Sequence, residues 1–193
     1  TKDVSVVNKL FILVALILLS GCTTQKSINA ERPGAEPEIK KEVESSEFQY
    51  EQALYYYTGE HGVVRDIAMS NYWLTKSAEN GFPRAQTDLG YRYEHGEGFP
   101  QDLSLALFWY TVAAEQNDVL AIFNAASLYE RGHGVKKDIV KAISLYEDAA
   151  YQGSIFAQNN LGMIYFQGRD GIAKDLDRSI GWLKKAAEQG MLH

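Results

Sequence analysis

From residue 49 onward the chain repeats one pattern of apolar and polar positions at a step of 36 residues. Tyr57, Tyr93, Tyr129 and Tyr165 keep that step, as do Ala85, Ala121 and Ala157. Leu89, Ala125 and Leu161 follow it; so do Asp66, Asp102 and Asp138, with Asp175 one residue late. A period between about 20 and 50 residues marks a stacked repeat architecture. Each unit predicts two helices. The first, as in "AQTDLGYRYEHG", sets Ala85, Leu89 and Arg92 or Tyr93 on one face at helical spacing. Gly90, Ala126 and Gly162 share one position of that helix. A helix-interior glycine costs ~1 kcal/mol against alanine, so a small residue returning there predicts close approach of a second helix. That second helix carries Ala106, Trp109, Ala113 and Ala114, or Ala142, Leu145, Ala149 and Ala150. Asp66, Asp102, Asp138 and Asp175 fit as its N-caps, accepting from its free N–H groups. Gly81, Asn117, Gly153 and Gly190 suit the left-handed position after its end.

The turn between the helices resembles a binding loop when read alone. "YERGHGVKKD" (129–138) sets two close glycines before two lysines, which would suit a bound anion. The same joint returns as "YEHGEGFPQD" (93–102), "YTGEHGVVRD" (57–66) and "YFQGRDGIAKD" (165–175). A feature copied in every unit is a structural joint. The predicted fold is all-α: a solenoid of four helix-turn-helix units near 49–84, 85–120, 121–156 and 157–193 within a domain spanning 48–193.

The first 47 residues follow another pattern. "LFILVALILL" (10–19) is an apolar run of ten residues preceded by Lys2 and Lys9. A membrane-spanning helix needs about 20 apolar residues; a basic segment followed by a short apolar one is a secretory signal. The run ends in Leu19-Ser20-Gly21-Cys22, which resembles the lipobox of bacterial lipoproteins. That resemblance implies cleavage after residue 21 and acylation of Cys22, with Thr23 in the position that favours the outer membrane. A signal peptide followed by a chance cysteine is the alternative. Residues 23–46 hold two prolines, many charges and three large aliphatics, Ile28, Ile39 and Val43. Such a stretch buries too little surface to offset its ordering entropy, so 22–47 is expected to be a tether with a coil span of roughly 25–30 Å. The expected location is the cell envelope: a lipid-anchored protein on the outer membrane, facing the periplasm.

Residues 157–190, "AQNNLGMIYFQGRDGIAKDLDRSIGWLKKAAEQG", resemble the Sel-one-like repeat (SLR), a relative of the tetratricopeptide repeat. This copy departs from the family pattern only at its one-residue insertion and at Ser179. The third copy has Ala125-Ala126 for Leu-Gly and Leu145 for the aromatic; the first has Ala53-Leu54 and Glu60. The resemblance covers residues 49–190, about three-quarters of the chain. It implies a right-handed superhelix of tetratricopeptide-like α-hairpins that mediates protein–protein contacts.

Composition narrows the chemistry. The net charge is −6 and no Lys/Arg run exceeds two, which disfavours nucleic acid as a partner. A single cysteine, Cys22, leaves no disulfide framework. Disulfide-rich secreted relatives associated with β-lactam binding or hydrolysis carry a cysteine pair per repeat, and S-x-x-K, S-D-N and K-T-G are absent here. A secreted enzyme of the β-lactam-hydrolase type is thus the alternative to an interaction scaffold. His61 and His133 share one repeat position, with His95 two earlier, but no converging ligand set accompanies them. No catalytic residue, metal or cofactor is expected.

The expected partner is a protein or peptide on the concave face, which the first helices line. Counting from Ala85 as zero, positions 0, 4 and 8 belong to the core, while positions 3, 6 and 10 share another face. The latter are Asp88, Tyr91 and His95; Asn124, Ser127 and Arg131; and Asn160, Met163 and Gln167, with Tyr55 equivalent to Tyr91. On the last predicted helix, near 177–189, lie Ile180, Trp182, Leu183, Ala186 and Ala187. Part of this set is expected to stay uncovered, either because a longer array continues or because the end docks on a partner or another copy.

Overall fold

The computed structural model describes residues 45–190, all within one compact unit. The expected leader (1–21), Cys22 and the tether as far as residue 44 lie outside the described residues, as do residues 191–193.

Eight helices make up the described chain: α1 (Ser46–Thr58), α2 (Ile67–Glu79), α3 (Pro83–His95), α4 (Leu103–Ala114), α5 (Val119–Arg131), α6 (Ile139–Tyr151), α7 (Ile155–Gln167) and α8 (Leu176–Glu188). Each packs on its chain neighbours, so four hairpins stack in series as an α-solenoid. The aspartates expected at the second helices cap them: Asp66 accepts from Met69 N, Asp102 from Ser104 and Leu105 N, Asp138 from Lys141 N, and Asp175 from Arg178 N. The backbone N–H groups of Asp102, Asp138 and Asp175 donate at 2.9–3.0 Å to the carbonyls of Tyr93, Tyr129 and Tyr165, closing the turn onto the first helix.

The first helices begin two or three residues ahead of the expected boundaries. Ser45, Asp118 and Ser154 cap α1, α5 and α7 by accepting from the N–H three residues on, and Pro83 opens α3 without a side-chain cap. The solenoid therefore starts at Ser46 rather than at 48. Ala121 and Ala157 sit inside their helices, three residues past their caps.

Two close approaches set the geometry of the stack. A Cβ on Gly90 would lie 2.8 Å from two ring carbons of Tyr110, a fully buried side chain, so only glycine admits α4 at this distance from α3. Gly134, at φ +71°, lies in the turn after α5; a Cβ there would fall 2.3 Å from the Leu103 carbonyl carbon on the preceding hairpin. Ser104 Oγ donates to the Gly134 carbonyl at 3.0 Å, fixing the same junction. The core runs through the stack. Ala53, Leu74, Ala78, Ala85 and Leu89 pack between the first two hairpins. Tyr93 and Tyr129 each touch two successive clusters.

The first junction departs from this apolar scheme. Arg92, only 6% exposed, occupies the position that Leu128 and Ile164 fill later. Its guanidinium donates to Asn71 Oδ1 and, at 2.9 Å, to Ser70 Oγ, and it lies 4.9 Å from the Tyr57 ring centroid. Ser70 Oγ in turn donates a hydrogen bond to the Ala53 carbonyl at 2.7 Å, and Tyr57 Oη donates to Glu97 at 2.8 Å. At the next junction the equivalents of Ser70, Asn71 and Arg92 are Ala106, Leu107 and Leu128, all buried. Three apolar slots have become polar together, as a buried cation requires.

Candidate functional site

The first helices α1, α3, α5 and α7 share a face built from alternating aromatic, amide and carboxylate side chains. Helical spacing places positions 3, 6 and 10 together, and the residue one before position 0 joins them. The structure distributes the sequence candidates unevenly along this face. Tyr91 is 48% exposed and stacks on His95 at 4.0 Å between ring centroids. Met163 is 39% exposed, and Arg131 and Gln167 are exposed beyond it. Tyr55 is half-buried, edge-on to His61 at 4.6 Å.

Other candidates are engaged internally. Ser127 is 7% exposed and sits beside the Tyr146 hydroxyl, so a partner does not reach it at the surface. Asn160 donates to the same hydroxyl at 3.0 Å, and Asn124 is half-buried. Asp88 accepts from Tyr50 Oη at 2.7 Å and pairs with Arg84 at 3.5 Å. Burial raises the Asp88 carboxyl above its ordinary value, against the pull of Tyr50 and Arg84. Burial, with the bond to Asp88 second, pushes the Tyr50 phenol up to about 12.

Periodicity alone did not expose two features. The first is a tyrosine–carboxylate pair inside each central hairpin: Tyr110 Oη donates to Glu94 at 2.8 Å, and Tyr146 Oη to Glu130 at 2.7 Å. Burial first, then the adjacent carboxylate, raises both phenols far above their usual range. Leu74 and Thr58, or Leu183 and Phe166, occupy these slots in the outer hairpins, so tyrosine and glutamate appear or vanish together. The second is an apolar edge: Leu120 (41% exposed) and Phe156 (60%) at the starts of α5 and α7, with Phe123 5.9 Å from Phe156 between ring centroids. Phe166, further along α7, is half-exposed beneath Lys174. The signal in the sequence was a large apolar residue one position before the alanine at 121 and 157.

Among the described residues the hydroxyls and carboxylates named above are tied to one another, and no group of three His, Cys, Asp or Glu side chains converges as a metal site. No helix among the described residues is long and apolar enough to cross a membrane.

Fold and face together define an α-solenoid protein of the helical-hairpin repeat class. The Sel1 repeat model matches residues 46–82, 83–118, 119–154 and 155–191, and the chain belongs to the Sel1 repeat family. It is similar to a protective antigen of uropathogenic Escherichia coli strains displaying an SLR fold, with 34% identity and a TM-score of 0.74 over 83% of this chain. It is also similar to a Sel1 repeat protein from Oxalobacter formigenes, with 33% identity and a TM-score of 0.72 over 78% of this chain. The chain spans 34% of the first relative's length and 59% of the second's. No curated protein sequence matches it. Sel1 repeat proteins bind protein partners and act generally as scaffolds.

Proposed function

We propose that this protein is a lipid-anchored scaffold of the bacterial envelope, held at the outer membrane through Cys22, whose first-helix face recruits a protein partner. One juxtaposition carries the reading: "LFILVALILLSGC" (10–22) stands ahead of four Sel1 hairpins whose exposed face is mixed apolar and polar. A core-like interface patch surrounded by polar groups is the composition of a recognition surface. Tyr91, Met163, Leu120 and Phe156 supply the apolar anchors, and His95, Arg131 and Gln167 supply the polar surround. Several acyl chains hold a protein at a bilayer stably, since each buried CH₂ contributes about 0.8 kcal/mol.

Two measurements test this. Cys22→Ser shifts the protein from the membrane to the soluble fraction, with loss of incorporated lipid; retention without lipid on another residue refutes the anchor. Crosslinking in intact envelopes captures a partner that the double variant Tyr91→Asp/Met163→Asp loses while the fold persists by circular dichroism. The purified chain turns over no β-lactam. Sustained turnover abolished by one point substitution would replace the scaffold with an enzyme.

A further inference from the structure

Charge is divided unevenly along the array. Residues 45–118, the first two hairpins with the Asp118 cap, carry eleven Asp or Glu against four Lys or Arg. Residues 119–190 carry eight against nine. All four cations of the first half are engaged within it. Arg92 is buried on Ser70 and Asn71, and Arg84 pairs with Asp88 at 3.5 Å. Lys76 lies 4.0 Å from Glu79, and Arg65 donates to the Tyr57 carbonyl at 3.1 Å. The surplus of acid therefore stands without internal compensation.

Part of that surplus lies on the first-helix face. Glu51 is exposed on α1 one turn before Tyr55, and Glu94 is half-buried on α3 three residues after Tyr91. Residues three and four apart on a helix are neighbours, so each carboxylate sits beside an aromatic ring of that face. The ion pairs among the described residues include neither Glu51 nor Glu94. The third hairpin shows what such a carboxylate takes when it is satisfied. Glu130, which accepts from Tyr146 Oη as Glu94 accepts from Tyr110 Oη, is paired with the guanidinium of Arg169 from the following turn. One repeat earlier, His133 stands in the place of Arg169, and Glu94 has no such cation among the described residues.

Over α5 and α7 the same face changes character. Glu130 is neutralised there, and the exposed side chains include Leu120, Phe156 and Met163, with Phe123 against Phe156. Tyr50 joins α1 to α3 through Asp88, as Phe123 joins α5 to α7. One end of the face is thus acidic and tyrosine-rich, and the other is apolar.

We infer that the partner of the first-helix face docks through a segment in which lysine or arginine stands beside leucine- or phenylalanine-like residues. Its cations lie over α1 and α3, one of them on Glu94 as Arg169 lies on Glu130, and its apolar residues lie over α5 and α7. This rests on the reading of that face as the recruiting surface and adds the chemistry of the partner. Complementary charge sets which partner binds and how fast, while a few buried apolar or aromatic anchors supply most of the affinity. An anionic surface is repelled by the same acidic half.

The probe is a displayed library of random peptides about 12 residues long, with an extended reach of about 40 Å, selected on the full chain. Enriched peptides are expected to combine Lys or Arg with Leu, Phe or similar residues. The strongest of them, fluorescently labelled, is then titrated by anisotropy. Glu51→Gln/Glu94→Gln should weaken it about tenfold or more, the equivalent of about 1.4 kcal/mol. Glutamine keeps an acceptor for Tyr110 Oη, and Glu51→Lys, at an exposed site with no bond to lose, should weaken binding as well. Glu79→Gln/Glu115→Gln removes two charges from the second helices and should change affinity by less than about twofold, since distant exposed charges are screened. Enrichment of apolar peptides without Lys or Arg overturns the cationic assignment and leaves the recruiting face standing. Failure to enrich any peptide over the Tyr91→Asp/Met163→Asp chain overturns both readings. Equal losses in the two glutamine double variants reduce the effect to net charge and overturn the inference. So does self-association that Glu51→Gln/Glu94→Gln abolishes, which would give the acidic half to the lysines of a second copy.

Discussion

Replacing Arg92 with leucine tests how the first junction is held. The change converts one slot to the residue found at the next junction and leaves its partners polar. Arg92 makes two hydrogen bonds to side chains and a cation–π contact in a site that is 6% exposed. Hydrogen bonds involving a charged group contribute about 1.5–3 kcal/mol each, and a buried amide left without a partner costs about 1–3 kcal/mol. Against these stands the relief of not burying a guanidinium, whose ionised form is disfavoured there by desolvation. The net expectation for Arg92→Leu is a loss of about 1–3 kcal/mol, because Asn71 keeps its buried oxygen and the attraction between Arg92 and Glu97 is lost. Adding Asn71→Leu and Ser70→Ala reproduces the Leu128, Leu107 and Ala106 set, which packs with almost no exposure. The triple variant should return to within about 1 kcal/mol of the parent, since apolar replacement of a whole buried polar cluster is often neutral or stabilising. Urea denaturation followed by circular dichroism measures both, and the single and combined variants give the coupling. If Arg92→Leu alone is as stable as the triple variant, the three residues do not act as a unit and the reasoning fails.

Two further outcomes follow from the same coordinates. Gly181→Ala, where a Cβ meets nothing within 4 Å, should raise the thermal midpoint by about 2–4 °C through helix propensity alone. Gly90→Ala should lose that gain to overlap with Tyr110; as Ala126 is accommodated opposite Tyr146 in the third hairpin, the two glycine variants should differ by only about 1–2 kcal/mol, and equal stabilisation of both would remove the case for a close approach. Alkaline pH should also destabilise the fold. The Tyr50 phenol is raised from 10.0 to about 12, so the unfolded chain loses that proton first; stability holds below about pH 10 and falls between about pH 10 and 12. Tyr50→Phe should flatten part of this decline in thermal melts across that window, and an unchanged slope would count against the bond to Asp88.

Much of this architecture was local and so legible in the chain. The step from Tyr93 to Tyr129, the cap aspartates, and the small residues at 90, 126 and 162 each state a requirement of backbone geometry that one residue meets by itself. Helix pairs, turns and their number followed directly. The starts of the first helices were misplaced because alanine at 85, 121 and 157 marks packing, while the caps sit three residues earlier with varied chemistry: Ser45, Asp118, Ser154, and none before Pro83.

Only the stacked structure decided which polar positions face solvent. Ser127 and Tyr91 occupy the same helical position beside the same tyrosine–glutamate pair, yet the short serine is covered while the tyrosine ring reaches out to His95 and stays half-exposed. Helical spacing sets Arg92 on the face of Ala85 and Leu89 but does not say what satisfies its charge there. Its burial depends on Ser70 and Asn71, which lie 22 and 21 residues away in the neighbouring hairpin. Periodicity reports the environment that the backbone makes and is the same in each unit. The exposure of a given side chain depends on what its neighbours in the next helix have become, and that coupling exists only once the hairpins are packed.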